Sequence, residues 1–296
     1  FNFREISFDT NNINFLSDRL NIKKNKKDYL LEGNIKNKNS SLNDQLLKTI
    51  KLKYPQFDLL NTNFESKNDF LFNINNKFKV KNLTINSSIL IDSSQFKKNN
   101  LISEKFIEIN ELIDLKNHKI KASYANKKLS IEGKGQIKLQ NKFEIIDYKV
   151  INSGSDLNLV SNIELSELDI KNQNLIKKYL PITKDILNLK DHKIRASYDN
   201  KKLKIVGKGQ VKLQNKFEFI DYEAVKSGPD LNLVSNIELS ELDVKNQNLI
   251  KKYLPKTKDI LDLKDHKIKL QYKDSNLSVK GFGKISLDKE FNKINY

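Results

Sequence analysis

The sequence predicts a mainly β protein: an elongated, curved antiparallel β-sheet groove built from 74-residue repeats, each of about four strands plus a short helix. Three observations lead there. The first is the repeat itself. His118, His192 and His266 are spaced by 192 − 118 = 74 and 266 − 192 = 74, and laying 118–191 over 192–265 leaves only 14 differences in 74 positions. Copies so alike favour a body that grows by stacking neighbours over one built around a unique active site. The second is alternation. Apolar and polar residues exchange with period two over most of each unit, the pattern of half-buried strands. The third is that glycines and shifts of apolar phase recur at fixed places, which marks a sheet curved on purpose.

Taken in chain order, 1–68 is a divergent, repeat-like segment. Its Leu31-Glu32-Gly33-Asn34-Ile35 resembles Ile131-Glu132-Gly133-Lys134-Gly135, and Leu42–Ile50 reads as a short helix before Tyr54-Pro55. Residues 69–117 form an older partial repeat, 118–191 and 192–265 two full ones, and 266–296 a partial copy, all one continuous elongated body. Within a unit, Ile120, Ala122 and Tyr124 make one strand. Asn126-Lys127-Lys128 turns into a longer strand of Leu129, Ile131, Gly133, Gly135, Ile137 and Leu139. Phe143 and Ile145 open a third strand, whose apolar phase then moves to Ile146, Tyr148 and Val150. A β-bulge at Ile145–Ile146 would account for that, and it leaves open which residues of 143–150 face inward. After the turn at Asn152-Ser153-Gly154-Ser155, the fourth strand carries Leu157, Leu159, Ile163 and Leu165, with Ser161 on the same face. Leu175, Ile176, Tyr179 and Leu180 then share one face of a short helix. Asn172 or Asn174 caps its start and Pro181 stops it. Ile186 and Leu187 lead through a second short helix or loop to the next unit.

Composition narrows the function classes. The net charge is +17, from 54 Lys+Arg against 37 Asp+Glu, which invites a nucleic-acid reading. Only three of those cations are Arg, the residue suited to bidentate phosphate and guanine contacts, and the lysines alternate with apolar residues without forming a stripe. A solvated Lys/Asn face is the reading, with no nucleic acid as partner. There is no Cys, hence no disulfide framework and no thiolate metal site. There is no Met either, and the chain reads as a fragment of a longer protein, so that a leader or anchor would lie outside it.

No catalytic or metal-binding residues are expected, no cofactor, and no enzyme activity. The histidines recur once per unit, about 19 Å apart across four strands, too far to share a metal, and are assigned to turns entering strands. Gly133-Lys134-Gly135 lacks the spacing of a phosphate loop and sits inside a strand. The partial copy, Gly281-Phe282-Gly283, keeps the glycines and drops the lysine, so a backbone bend or bulge is expected. Glu164, Glu167 and Asp169, repeated as Glu238, Glu241 and Asp243, read as a solvated strand end. What remains is the apolar face, which a single sheet must bury against something.

The repeated strings around Asp156–Leu165, Tyr179-Leu180-Pro181 (again Tyr253-Leu254-Pro255) and Leu129–Leu139 with Ile146-Asp147-Tyr148 resemble the AsmA-like bacterial envelope proteins, specifically the YhdP type. The resemblance covers roughly residues 69–296. It implies a bridge-like lipid-transfer protein: a β-sheet groove with an apolar interior, periplasmic, anchored in the inner membrane by a region outside this fragment, and passing phospholipid towards the outer membrane. The partner would be phospholipid or another acyl-chain lipid, together with the membrane and any envelope proteins. The family offers no catalytic residues to carry over. The groove candidates are Ile120, Ala122, Tyr124, Leu129, Ile131, Ile137, Leu139, Leu157, Leu159, Ile163 and Leu165; Ile194, Ala196, Tyr198, Leu203, Ile205, Val211, Leu213, Leu231, Leu233, Ile237 and Leu239; and Ile268, Leu270, Tyr272, Leu277 and Val279. The alternative is a structural β-repeat spacer or stalk whose core is filled by its own side chains.

Overall fold

The structure is a computed structural model. It describes residues 1–10, 13–25, 27–42, 59–97, 111–171, 185–199, 201–245, 252, 259–273, 276–286 and 290–296. All sixteen elements among them are strands: β1 (Asn2–Thr10), β2 (Ile13–Asn25), β3 (Asp28–Leu42), β4 (Leu59–Asn75), β5 (Val80–Lys97), β6 (Leu112–Ala125), β7 (Lys128–Lys138), β8 (Phe143–Ser153), β9 (Asp156–Lys171), β10 (Ile186–Asp199), β11 (Lys202–Lys212), β12 (Phe217–Ser227), β13 (Asp230–Lys245), β14 (Ile260–Lys273), β15 (Asn276–Ser286) and β16 (Phe291–Asn295). Their order in the sheet is their order in the chain. The mainly β, antiparallel class read from the alternation is what the chain adopts. Two compact units divide it: the described residues of Phe1–Asn99 and Ile109–Ser161 form the first, and those of Asn162–Tyr296 the second.

Within a copy, hairpins among the described residues turn through short connections that follow from turn chemistry. Asn126 and Lys127 both take positive φ (50° and 61°) between the paired Ala125 and Lys128, the two-residue hairpin whose twist matches its strands. Gly154 (φ 69°) and Gly228 (φ 57°) turn the next hairpin in each copy. Leu42, expected to begin a short helix, instead ends β3, while the rest of that helix, 43–50, and the helix over Leu175–Leu180 lie outside the described residues. Ile186 and Leu187, read as a helix or loop, instead open β10. Among the described residues no helix is long and apolar enough to cross a membrane.

The bulge falls elsewhere than the sequence pattern placed it. The β7–β8 register runs unbroken from Lys128↔Ser153 to Lys138↔Phe143. The shift is in β6, between Lys116↔Gln136 and Lys119↔Lys134, so Asn117 and His118 together oppose Gly135. Asn117 supplies the left-handed conformation this needs (φ 54°). Asp191 (52°) and Asp265 (53°) repeat it at the shifts of β10 and β14. What looked like a phase change at Ile145–Ile146 is a buried carboxylate. Glu144 shares the inward face with Ile146, Tyr148 and Val150, while Phe143 and Ile145 point out and stay exposed.

In the second unit the core lies where β13 ends and β10 begins. Leu187, Val211, Leu213, Leu239 and Leu242 are buried together, with Ile170, Leu189, Ile220, Ile237, Val244, Leu263 and Ile268 packed against them. The outward face repeats less strictly. Glu132 bonds Lys149 in one copy. In the next, Val206 and Glu223 stand at those places, and Lys204 pairs with Glu223 at 2.9 Å in their stead.

Candidate functional site

The sequence-predicted groove residues fall on one face of their strands, and the registers bring many into cross-strand rows. In the first unit Tyr124 faces Leu129, and Ala122, Ile131 and Val150 form a row. In the second unit one row reads Ala196, Ile205, Ala224, Leu233, Tyr272, Leu277. Its neighbour reads Ile194, Gly207, Tyr222, Ser235, Leu270, Val279. Tyr198 meets Leu203, and Ile237 meets Ile268. Ile163 and Leu165 hold on β9 the places that Ile237 and Leu239 hold on β13, and Leu165 is buried. Leu139 and Leu213 fall just past the ends of β7 and β11, Leu213 inside the core.

Burial along this face is graded. Ile137 and Val211 are sealed near the ends of their strands, and Leu165 and Leu239 are sealed in mid-strand, Leu239 opposite His266. At the hairpin end Leu157, Leu231, Leu277 and Val279 remain 41–44% exposed. Leu83, Ile85, Ser87, Ala122, Tyr124 and Leu129 line a cleft of about 330 Å³ at that end of the first unit.

Between the two ends lies a layer the sequence reading missed. His118 is 2% exposed and sits within β6 at the bulge rather than in a turn. Its Nε2–H donates to the Gln136 carbonyl at 2.9 Å, which leaves Nδ1 as an acceptor facing the Tyr148 hydroxyl at 3.4 Å. His192 with Gln210 and Tyr222 repeats this at 2.9 and 3.5 Å, and His266 with Lys284 and Tyr296 at 2.9 and 3.0 Å. Burial holds the His118 and His192 imidazoles below the usual histidine range and pushes the Tyr148 and Tyr222 hydroxyls up, so in these two pairs both partners stay neutral; burial pushes the Tyr296 hydroxyl up as well.

The glycines explain why the rings fit. A Cβ on Gly133 would overlap the Tyr148 ring, and one on Gly135 the His118 ring; Gly207 and Gly209, and Gly281 and Gly283, repeat this. Their role is a missing side chain under two rings; of the bend or bulge expected here, the bulge lies on the facing strand, opposite Gly135. In the divergent segment a Cβ on Gly33 would meet the Arg19 carbonyl oxygen first and then the Phe70 ring. The signal was in the sequence. His, two glycines and Tyr keep spacings of 15, 17 and 30 residues in all three copies (133 − 118, 135 − 118, 148 − 118).

A second polar set holds β13 where its inward positions step from Leu239 to Leu242. The buried Glu218 carboxylate accepts from the Ser240 N–H (2.8 Å) and hydroxyl (2.7 Å) and from the Glu241 N–H (3.4 Å). Gln214 extends the ladder, accepting from Asp243 N–H at 3.1 Å and donating to its carbonyl at 2.7 Å. The acidic clusters are tied into neighbours. Glu164 meets Lys193 and Glu238 meets Lys267, and Asn188 donates to both Glu167 and Asp169. Asp243, facing Asp262 across the strands, has its carboxyl pushed up by burial and by that neighbour.

No protein-family model, no curated protein and no solved structure matches the chain.

Proposed function

We propose that this chain is a non-enzymatic carrier of lipid acyl chains, part of an AsmA-like envelope protein that moves phospholipid between membranes, with its membrane anchor outside these residues. One observation supports the reading above others: the apolar face stays exposed at its hairpin end at the same place in both full copies, Leu157 and Leu231. A contiguous apolar surface open to water calls for an occupant. Each methylene moved onto it is worth about 0.8 kcal/mol. Because successive copies offer nearly the same rows, a bound chain meets similar contacts at each and is free to slide.

The second reading, a structural spacer, draws on the buried cluster of Leu187, Val211, Leu213, Leu239 and Leu242, where the face fills itself. Binding of a fluorescent-tailed phospholipid separates the two. Leu159→Asp and Leu233→Asp place charge on the apolar face and are expected to abolish binding, whereas the outward Lys138→Glu leaves it intact. Equal effects from both classes, with folding verified by circular dichroism, would remove the lipid reading.

A further inference from the structure

One departure of the first unit's outward face from the repeat is a row of lysines. Lys67 on β4, Ser88 on β5 and Lys121 on β6 stand directly opposite one another, all three exposed. In the second unit the same cross-strand row reads Asp221, Asn236, Lys269, and Asn236 Nδ2 donates to Asp221 Oδ1 at 2.7 Å. Where the repeat has an acid, the first unit has a lysine. The row continues on both sides. Lys36 faces Lys67 but is bonded to Asp18; Glu132 faces Lys121 but is bonded to Lys149. The row's carboxylates thus bond its outer lysines, and among the described residues neither Lys67 nor Lys121 forms an ion pair of its own.

Adjacent strands lie about 4.8 Å apart, so the two lysines flank Ser88 with backbones roughly 10 Å from each other. Side chains of that length can reach over one hydroxyl, whereas in the structure Lys67 acts on Asp18 and Lys121 on Glu132, the acids to either side. Like charges so placed repel, and an anion between them reverses the sign. The space exists: a cleft of about 440 Å³ lies here, and Asn86, Ser123 and Ser130 line it beside the three row residues. Asp69 and Glu132 also line it, and each can accept hydroxyl hydrogens.

We propose that this cleft binds the phosphate group of a polyhydroxyl compound, the phosphate over Ser88 between Lys67 and Lys121, the hydroxyls towards Asp69 and Glu132. Amide and hydroxyl donors with two cations make charge-assisted bonds to phosphate oxygens, and the acids discriminate against an anion without hydroxyls. The site lies on the face opposite the acyl-chain rows and stands independently of the lipid reading.

The same chemistry reaches the cleft either as a free polyol phosphate or as a headgroup on a bilayer, and two probes on the full chain separate these. Calorimetric titration with glycerol 3-phosphate reads the first. Flotation with phosphatidylcholine vesicles carrying 20 mol % (about one in five) phosphatidylglycerol reads the second. Whichever probe binds, Lys67→Asp, which restores the acid of the second unit's row, is expected to weaken binding at least ~10-fold, and Lys121→Gln severalfold. Lys269→Gln, at the matching place in the second unit, leaves it unchanged. Lys67→Gln guards against a folding effect of the new acid and is expected to weaken binding as well. Binding of neither probe overturns the proposal. So does a loss with Lys269→Gln equal to that with Lys121→Gln, which would mean that net charge alone is read.

Discussion

Replacing Gly135 by alanine tests the His–Tyr–Gly layer at its tightest point. The added methyl enters the His118 ring, contacting Cδ2, Cγ and Nε2, with side-chain atoms of one residue as the nearest obstruction. His118 is sealed and cannot swing outward without breaking its 2.9 Å bond to the Gln136 carbonyl. Overpacking of this kind costs about 1–3 kcal/mol. Losing the buried bond adds about 1 kcal/mol. The sum is about 2–4 kcal/mol, or roughly 30- to 1,000-fold in the local opening equilibrium at 1.36 kcal/mol per decade. Hydrogen exchange of the β6, β7 and β8 amides is the assay, because repeat proteins open locally. A thermodynamic cycle isolates the cause. In a His118→Ala background the methyl has room, and Gly135→Ala becomes neutral or stabilises by up to about 1 kcal/mol through lower chain entropy. A penalty that persists in that background, or one below about 0.5 kcal/mol in the parent chain, refutes the reasoning.

Further outcomes follow from the same geometry. Burial lowers the folded-state pKa of His118 and His192, so below the unfolded value of about 6.5 the unfolded chain takes up protons the folded chain does not. Stability is therefore full above that pH and falls as the pH drops from 6.5 through the folded-state values; urea melts between pH 7.5 and 5 should show this, and His118→Gln with His192→Gln should flatten it. Glu218→Ala removes the acceptor of the part-buried Ser240 N–H, expected to cost about 1 kcal/mol and to speed exchange of the Ser240 amide selectively. Gly228→Ala, with nothing within 4 Å of its would-be Cβ but a φ of 57°, should cost about 1–2 kcal/mol through backbone strain alone, with exchange rising at the β12–β13 hairpin.

The strands and their inward residues were legible because alternation is local: Leu129, Ile131 and Ile137 declare their face without reference to any neighbour. The turn between β6 and β7 was legible for the same reason, although the sequence reading extended it over Asn126-Lys127-Lys128 and Lys128 instead opens β7. The His–Tyr–Gly layer was not, because it is assembled across three strands. His118, Gly135 and Tyr148 meet only through the registers of β6, β7 and β8, and one of those registers contains the bulge at Asn117. Glu144 misled for a related reason. A buried carboxylate reads as an outward residue, so it displaced the bulge by two strands in the sequence-based expectation. Its equivalent Glu218 turns inward because β13 has N–H groups there to satisfy, a demand that no local pattern reveals. The cleft at Ser88 was likewise hidden. Lys67 and Lys121 are 54 residues apart (121 − 67), and neither is unusual alone.

The acyl-chain reading rests on the rows from Ala196 to Leu277, and native mass spectrometry after incubation with phospholipid vesicles tests it most directly. The account predicts discrete phospholipid adducts on the parent chain, retained with Lys138→Glu and lost with Leu233→Asp, in the middle of that row. A parent chain that emerges free of lipid, or adducts that survive Leu233→Asp undiminished, would contradict it and leave a sheet that fills its own interior.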